Sequence, residues 1–139
     1  MREILFRGKR LQGGNWVEGY FFKSDINKEE RESGKATLIF TPDCDTFIMV
    51  PECHDSFMVV SDTVGQYTGL RDKNGKRIFE GDLLSLRTGR PHVVRFEDGA
   101  FVFENTAIPM RFANKLEVIG NVHDNPELLE VSGNAYAAI

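Results

Sequence analysis

Residues Gln66 to Leu84, QYTGLRDKNGKRIFEGDLL, constrain this chain more than any other stretch. The segment Gln66-Tyr67-Thr68-Gly69-Leu70 leads into a charged tip, Asp72-Lys73-Asn74-Gly75-Lys76, and Glu80-Gly81-Asp82 then interrupts the returning strand. Asn-Gly at the tip predicts a tight primed turn, because both central residues of such a turn need positive φ. The Gly81-Asp82 step opens a new apolar run, Leu83-Leu84-Ser85-Leu86, in the manner of an entry strand of a small barrel. Glycine at this frequency breaks a helix, so the stretch must fold as short strands and turns.

The same pattern extends in both directions. Ile4-Leu5-Phe6 reads as a first short strand, ended by Arg7-Gly8-Lys9-Arg10 and the turn Gly13-Gly14-Asn15. The run Trp16 to Phe22 is rich in strand-forming aromatic and branched residues. Gly19 within it predicts a bulge or a close backbone approach. Ala36 to Thr41 reads as a strand pairing with Thr46 to Val50, and Phe57 to Val60 as a further short one. The segment 25–35 is charged and closed by Gly34, with no apolar face to bury, and is predicted to be a loop. Downstream, His92 to Phe96 and Ala100 to Phe103 flank an Asp98-Gly99 turn, and Leu116 to Gly120 closes the β region. Asn125-Pro126 predicts the start of a helix, with Asn125 as N-cap.

These readings give a mainly β fold of short antiparallel strands, with an SH3-like small barrel in the C-terminal half and one short C-terminal helix. The organisation expected is an N-terminal β-hairpin lobe (1–64), the barrel (65–125), and a short helix with a tail (126–139). The 139 residues suit one domain or two small lobes sharing a core. A formal net charge of −4 provides no global field for nucleic acid or an acidic membrane, so only a local basic patch would serve either. No apolar run approaches the roughly 20 residues of a membrane span. The two cysteines are too few for a disulfide framework, which predicts a cytoplasmic protein with reduced thiols.

Candidate chemistry is sparse. Metal ligands are offered by Asp43-Cys44-Asp45, Cys53-His54-Asp55 and His123-Asp124, yet no close Cys or His pair supplies the second half of a zinc site. A cysteine nucleophile would require Cys44 or Cys53 beside His54, His92 or His123, and neither thiol has an elbow-type glycine pattern around it. The carboxylate pairs Asp43/Asp45, Glu80/Asp82 and Glu97/Asp98 fall in turns, where they more often accept backbone N–H bonds. Asp82, His92 and Cys53 are the residues an enzyme reading would use. Gly13-Gly14 lacks the Lys-Ser/Thr step and helix of a phosphate loop. Nucleic-acid binding has better support. Arg71, Lys73, Lys76 and Arg77 lie on one hairpin, Arg87, Arg90 and Arg95 follow, and Tyr67 and Phe79 offer rings for stacking.

The stretch Val64 to Lys76 followed by Ile78-Phe79-Glu80-Gly81-Asp82 resembles the YopX family of phage and prophage proteins. The opening Arg2 to Arg7 is similar to that family's start, as are Val94-Arg95-Phe96, Asp98 to Phe101, and the closing Ile119-Gly120-Asn121-Val122-His123-Asp124-Asn125-Pro126-Glu127-Leu128-Leu129. The resemblance runs from near Met1 to about Leu129, and the chain departs from it mainly at 25–35 and after Glu130. It implies a phage origin and supports the fold. It carries no assigned activity, catalytic residue or cofactor. The function expected is therefore a non-enzymatic binding or assembly module that self-associates, with nucleic acid or a phage or host protein as the alternative partner. A hydrolytic or metal-dependent enzyme is the remaining alternative.

Overall fold

Among the described residues, ten antiparallel strands are arranged in two sheets. The computed structural model describes residues 2–24, 46–85, 90–104, 106 and 108–129. The predicted loop 25–35, the strand Ala36 to Thr41, the turn 42–45 with Cys44, the Arg87 turn and the tail after Leu129 lie outside the described residues. The strands are β1 (Phe6–Lys9), β2 (Trp16–Lys23), β3 (Thr46–Val50), β4 (Asp55–Met58), β5 (Gly65–Arg71), β6 (Arg77–Phe79), β7 (Asp82–Ser85), β8 (His92–Glu97), β9 (Ala100–Phe103) and β10 (Glu117–Asn121). Two 3-10 turns, Ser61–Thr63 and Met110–Lys115, and one helical turn at 126–129 complete it. None of the described helices is long and apolar enough to cross a membrane.

The chain divides into two compact units, Ile4–Gln66 and a second formed by Met1–Glu3 with Tyr67–Ile139. In the first unit the strand order is β4-β3-β2-β1, with Gly65 and Gln66 of β5 pairing outside β1. The first strand is displaced from its predicted position. It begins at Phe6 and continues through Arg7-Gly8-Lys9, residues whose polarity suggested a strand end. Pairing explains the shift: Arg7 and Lys9 lie opposite Glu18 and Trp16, and the Arg7 guanidinium sits 4.8 Å from the centre of the Trp16 ring. Strand β3 pairs with β2 and β4, burying Ile48 and Phe47 while Phe22 stacks on Phe47 at 5.2 Å. Gly19 is the close approach that the sequence implies. A Cβ there would overlap the Met49 carbonyl.

In the second unit β7, β8 and β9 form a meander, and β10 returns to pair with β7, giving the order β10-β7-β8-β9. Ile78, Leu84, Val94, Phe103, Ala113 and Leu116 form a core cluster, with Ile108, Met110 and Val118 packed against it. Among the described residues this sheet is open and no barrel closes. The Asp98-Gly99 turn has the two positive φ values (51° and 84°) of a primed hairpin. Asn125 stands directly before the helical turn at 126–129 and its carbonyl accepts the Leu128 N–H at 3.1 Å, but its side chain is used elsewhere. Its Oδ1 accepts the Asn121 N–H at 3.2 Å, while the Asn121 Oδ1 accepts the N–H groups of His123 and Asp124. This closed knot of side-chain bonds competes with the helix for the same asparagine.

Gly19→Ala is expected to cost about 2 kcal/mol in urea unfolding, because the new methyl meets backbone that cannot yield. Gly8→Ala meets only the movable side chain of Val59 at 3.0 Å and should cost clearly less. Equal losses would show that Gly19 is not held against Met49.

Candidate functional site

The basic hairpin is built around one carboxylate. Asp72, only 5% exposed, directly follows β5. Its Oδ1 accepts the N–H groups of Asn74 (2.8 Å) and Lys76 (2.9 Å), and its Oδ2 accepts that of Val118 in β10 (3.0 Å). A backbone bond from the Lys73 N–H to the Leu116 carbonyl, 2.9 Å, adds a second stitch between tip and β10. The turn differs from the primed type that Asn-Gly suggests. Gly75 has φ 81° while Asn74 does not adopt positive φ, and the Gly75 N–H returns to the Asp72 carbonyl at 3.0 Å. That is a type I turn followed by a left-handed glycine, closed by the Asp72 N–H on Lys76 O. Asp72 selects it, because its carboxylate needs the Asn74 and Lys76 donors on one side.

Burial pushes the Asp72 carboxyl up, but the N–H groups of Val118, Lys76 and Asn74, helped by the Lys76 charge, outweigh it. The net effect holds the group below its ordinary 3.8. The rest of the motif has similar internal duties. The Thr68 hydroxyl donates to Ile78 O at 2.8 Å across a bulge in β5. Asp82, fully buried, accepts the Phe79 N–H on Oδ2 at 2.8 Å. Tyr67 and Phe79 lie against each other, ring centres 5.5 Å apart, and both are buried, so neither presents a face for stacking. Gln66 and Leu70 lie one residue inside the ends of the bulged strand, and Glu80-Gly81 is the turn into β7.

Several of the hairpin cations are already engaged. Lys73 Nζ lies 3.7 Å from Glu117, which also accepts from the Asn74 amide at 3.3 Å. Arg77 lies 3.4 Å from Glu3 and over the Tyr67 ring. Arg71 donates to Gly75 O at 2.9 Å. Arg95 pairs with Glu104 at 3.3 Å. The enzyme-like residues are scattered: Cys53 is exposed in the 51–54 turn beside His54, His92 packs on Phe103, and His123 sits in the Asn121 knot. Among the described residues no three His, Cys, Asp or Glu side chains converge as metal ligands. Burial, then the Arg90 charge, lowers His92 below its ordinary 6.5.

Two surface features escape the reading of the sequence. The first is the β9 edge. With Glu104 N–H bonded to Val93 O (2.8 Å), the two-residue alternation turns the backbone groups of Val102 and Ala100 toward β8 and those of Phe101 and Phe103 away from it. Phe103 is buried, so Phe101 carries the surface part of this edge. Beside this edge Phe96, 50% exposed, meets Phe101 edge-on at 5.0 Å. The second is the 3-10 turn before β10, where Arg111 and Lys115 both lie over the exposed Phe112 ring, at 5.2 and 5.1 Å. The Arg-Phe-x-x-Lys spacing is its only trace in the sequence.

Comparison with known proteins follows this geometry. The family model described as YopX protein matches residues 5–130. Among solved structures, protein EF1440 from Enterococcus faecalis is similar, with 25% identity and a TM-score of 0.53 over 93% of this chain and 99% of that one. No curated protein matches.

Asp72→Ala is expected to destabilise the protein by about 3 kcal/mol, since it leaves three backbone donors without their charged acceptor. Denaturant unfolding of this variant checks that figure, and a loss under 1 kcal/mol would remove Asp72 from its bracing role. The pH dependence separates two groups. The folded pKa of each lies below its unfolded value, so each contributes stability above the ordinary pKa that is lost as pH falls through the folded one. For His92 that loss begins as pH falls past about 6.5 and should vanish in His92→Gln. For Asp72 it begins below about 3.8 and should vanish in Asp72→Asn, measured by urea midpoints across pH.

Proposed function

The chain belongs to the YopX family, and on that footing we propose that it is a phage or prophage accessory protein, a non-enzymatic binding or assembly module that self-associates. The observation that carries this reading is the β9 edge. Ala100-Phe101-Val102-Phe103 holds no charged residue and no proline, the devices that normally keep an exposed strand from pairing. A second copy is the natural occupant, because the same outward N–H and C=O groups on two chains are complementary about a two-fold axis. Phe96 and Phe101 would then bury each other's exposed rings at the join. The internal use of Thr68, Asp72 and Asp82 supports a framework role for the central motif rather than a reactive one. The succession β7-β8-β9, a 3-10 turn and a last strand returning to β7 also supports an SH3-like reading of this unit, a fold that hosts binding modules of many kinds. A bacterial cytoplasmic location accords with the proposed phage role.

Light scattering during size exclusion is expected to give a discrete homo-oligomer at about 100 µM, well above the dissociation constant of a stable interface. Phe101→Lys should shift it to smaller species with unchanged circular dichroism, since it places a charge at the edge. A clean wild-type monomer, or an oligomer indifferent to Phe101→Lys, would overturn the reading.

A further inference from the structure

A nucleic-acid role confined to residues 71–77 has a physical shortfall, because Lys73 and Arg77 are paired with Glu117 and Glu3. The Met110–Lys115 turn supplies what the hairpin lacks. Leu116, which follows Lys115, accepts the Lys73 N–H, so the backbones of Lys115 and Lys73 come within about 9 Å of each other. The tip and the turn thus form one end of the second unit, carrying Arg71, Lys73, Lys76, Arg111 and Lys115 against the carboxylates of Asp72 and Glu117. Asp72 is buried and already satisfied by backbone donors. Neither Arg111 nor Lys115 has an ion-pair partner among the described residues. Both are held over the Phe112 ring, 36% exposed, which limits their freedom at little cost to their charge.

We propose that this end of the unit is a binding site for single-stranded nucleic acid. The two cations on Phe112 are positioned for phosphates, and the planar guanidinium of Arg111 offers a face for an unpaired base. Lys76 and Arg71 extend the phosphate track along the hairpin. A duplex fits less well, since its paired and stacked bases leave no open base face for the Arg111 guanidinium. With three or four phosphates neutralised, binding is modest and strongly salt-dependent. The oligomer proposal rests on Phe101 and this one on Arg111 and Lys115, so their variants test the two separately.

Fluorescence anisotropy with labelled oligo-dT of about 20 nucleotides is expected to show affinity falling about 20- to 50-fold between 50 and 200 mM NaCl. The double variant Arg111→Gln/Lys115→Gln should weaken binding about tenfold at 50 mM and lower the salt slope by more than one. Arg95→Gln, whose side chain pairs with Glu104 elsewhere, should leave affinity unchanged. Circular dichroism checks that each variant remains folded. Absence of salt-sensitive binding at 50 mM, an equal loss in Arg95→Gln, full affinity in the folded double variant, or duplex DNA or polyglutamate binding as tightly as oligo-dT would each overturn the proposal.

Discussion

One carboxylate organises the second unit. Asp72 receives backbone N–H groups from two positions of its own hairpin and from Val118, more than forty residues further along the chain. A buried carboxylate without donors would be costly or would take up a proton. Here the donors outnumber what burial removes, and the group remains charged. The consequences are local and long-range together. The tip adopts a type I turn with Gly75 left-handed, β10 is pinned beside the hairpin, and the 3-10 turn before β10 is brought to the same end of the unit. The candidate nucleic-acid site exists because of that pin.

The remaining polar residues of the central motif behave in the same way. Thr68 bridges the β5 bulge to Ile78, and Asp82 holds the Phe79 amide at the start of β7. A motif dense in Asp, Thr and Gly invites a catalytic interpretation, but each of these side chains is aimed at backbone. Their chemistry is that of turns, where a short polar side chain substitutes for a missing ladder bond. The groups that face outward are of another kind: the apolar β9 edge with Phe96, and the cations arrayed on Phe112. Those are the features on which the proposed associations rest, strand pairing at one and phosphate attraction at the other.

Much of the architecture was legible in the residue order. The hairpin at Asp98-Gly99, the strands Thr46–Val50 and Ala100–Phe103, and the entry of β7 after Gly81 all follow from local patterning, because turn glycines and β-rich runs act over a few residues. Gly19 was legible as a close approach, though not its partner Met49. Three readings changed for reasons that no local window contains. The first strand extends over Arg7 and Lys9 because Trp16 and Glu18 lie opposite them. Asn74-Gly75 takes a different turn because Asp72 needs its amides. Tyr67 and Phe79 read as exposed stacking faces and are instead buried against each other.

The order of amino acids alone determined that this chain is mainly β, where most of its strands break, and which family it resembles, since backbone preference and turn geometry are encoded within a few neighbouring residues. Only the tertiary structure decided which charges are committed and which are available. Glu3 meets Arg77 and Glu117 meets Lys73 across long stretches of sequence, whereas Arg111 and Lys115 gather on Phe112 beside a hairpin some forty residues upstream. Charge balance at a surface depends on distances through space, and the fold brings those distances into being.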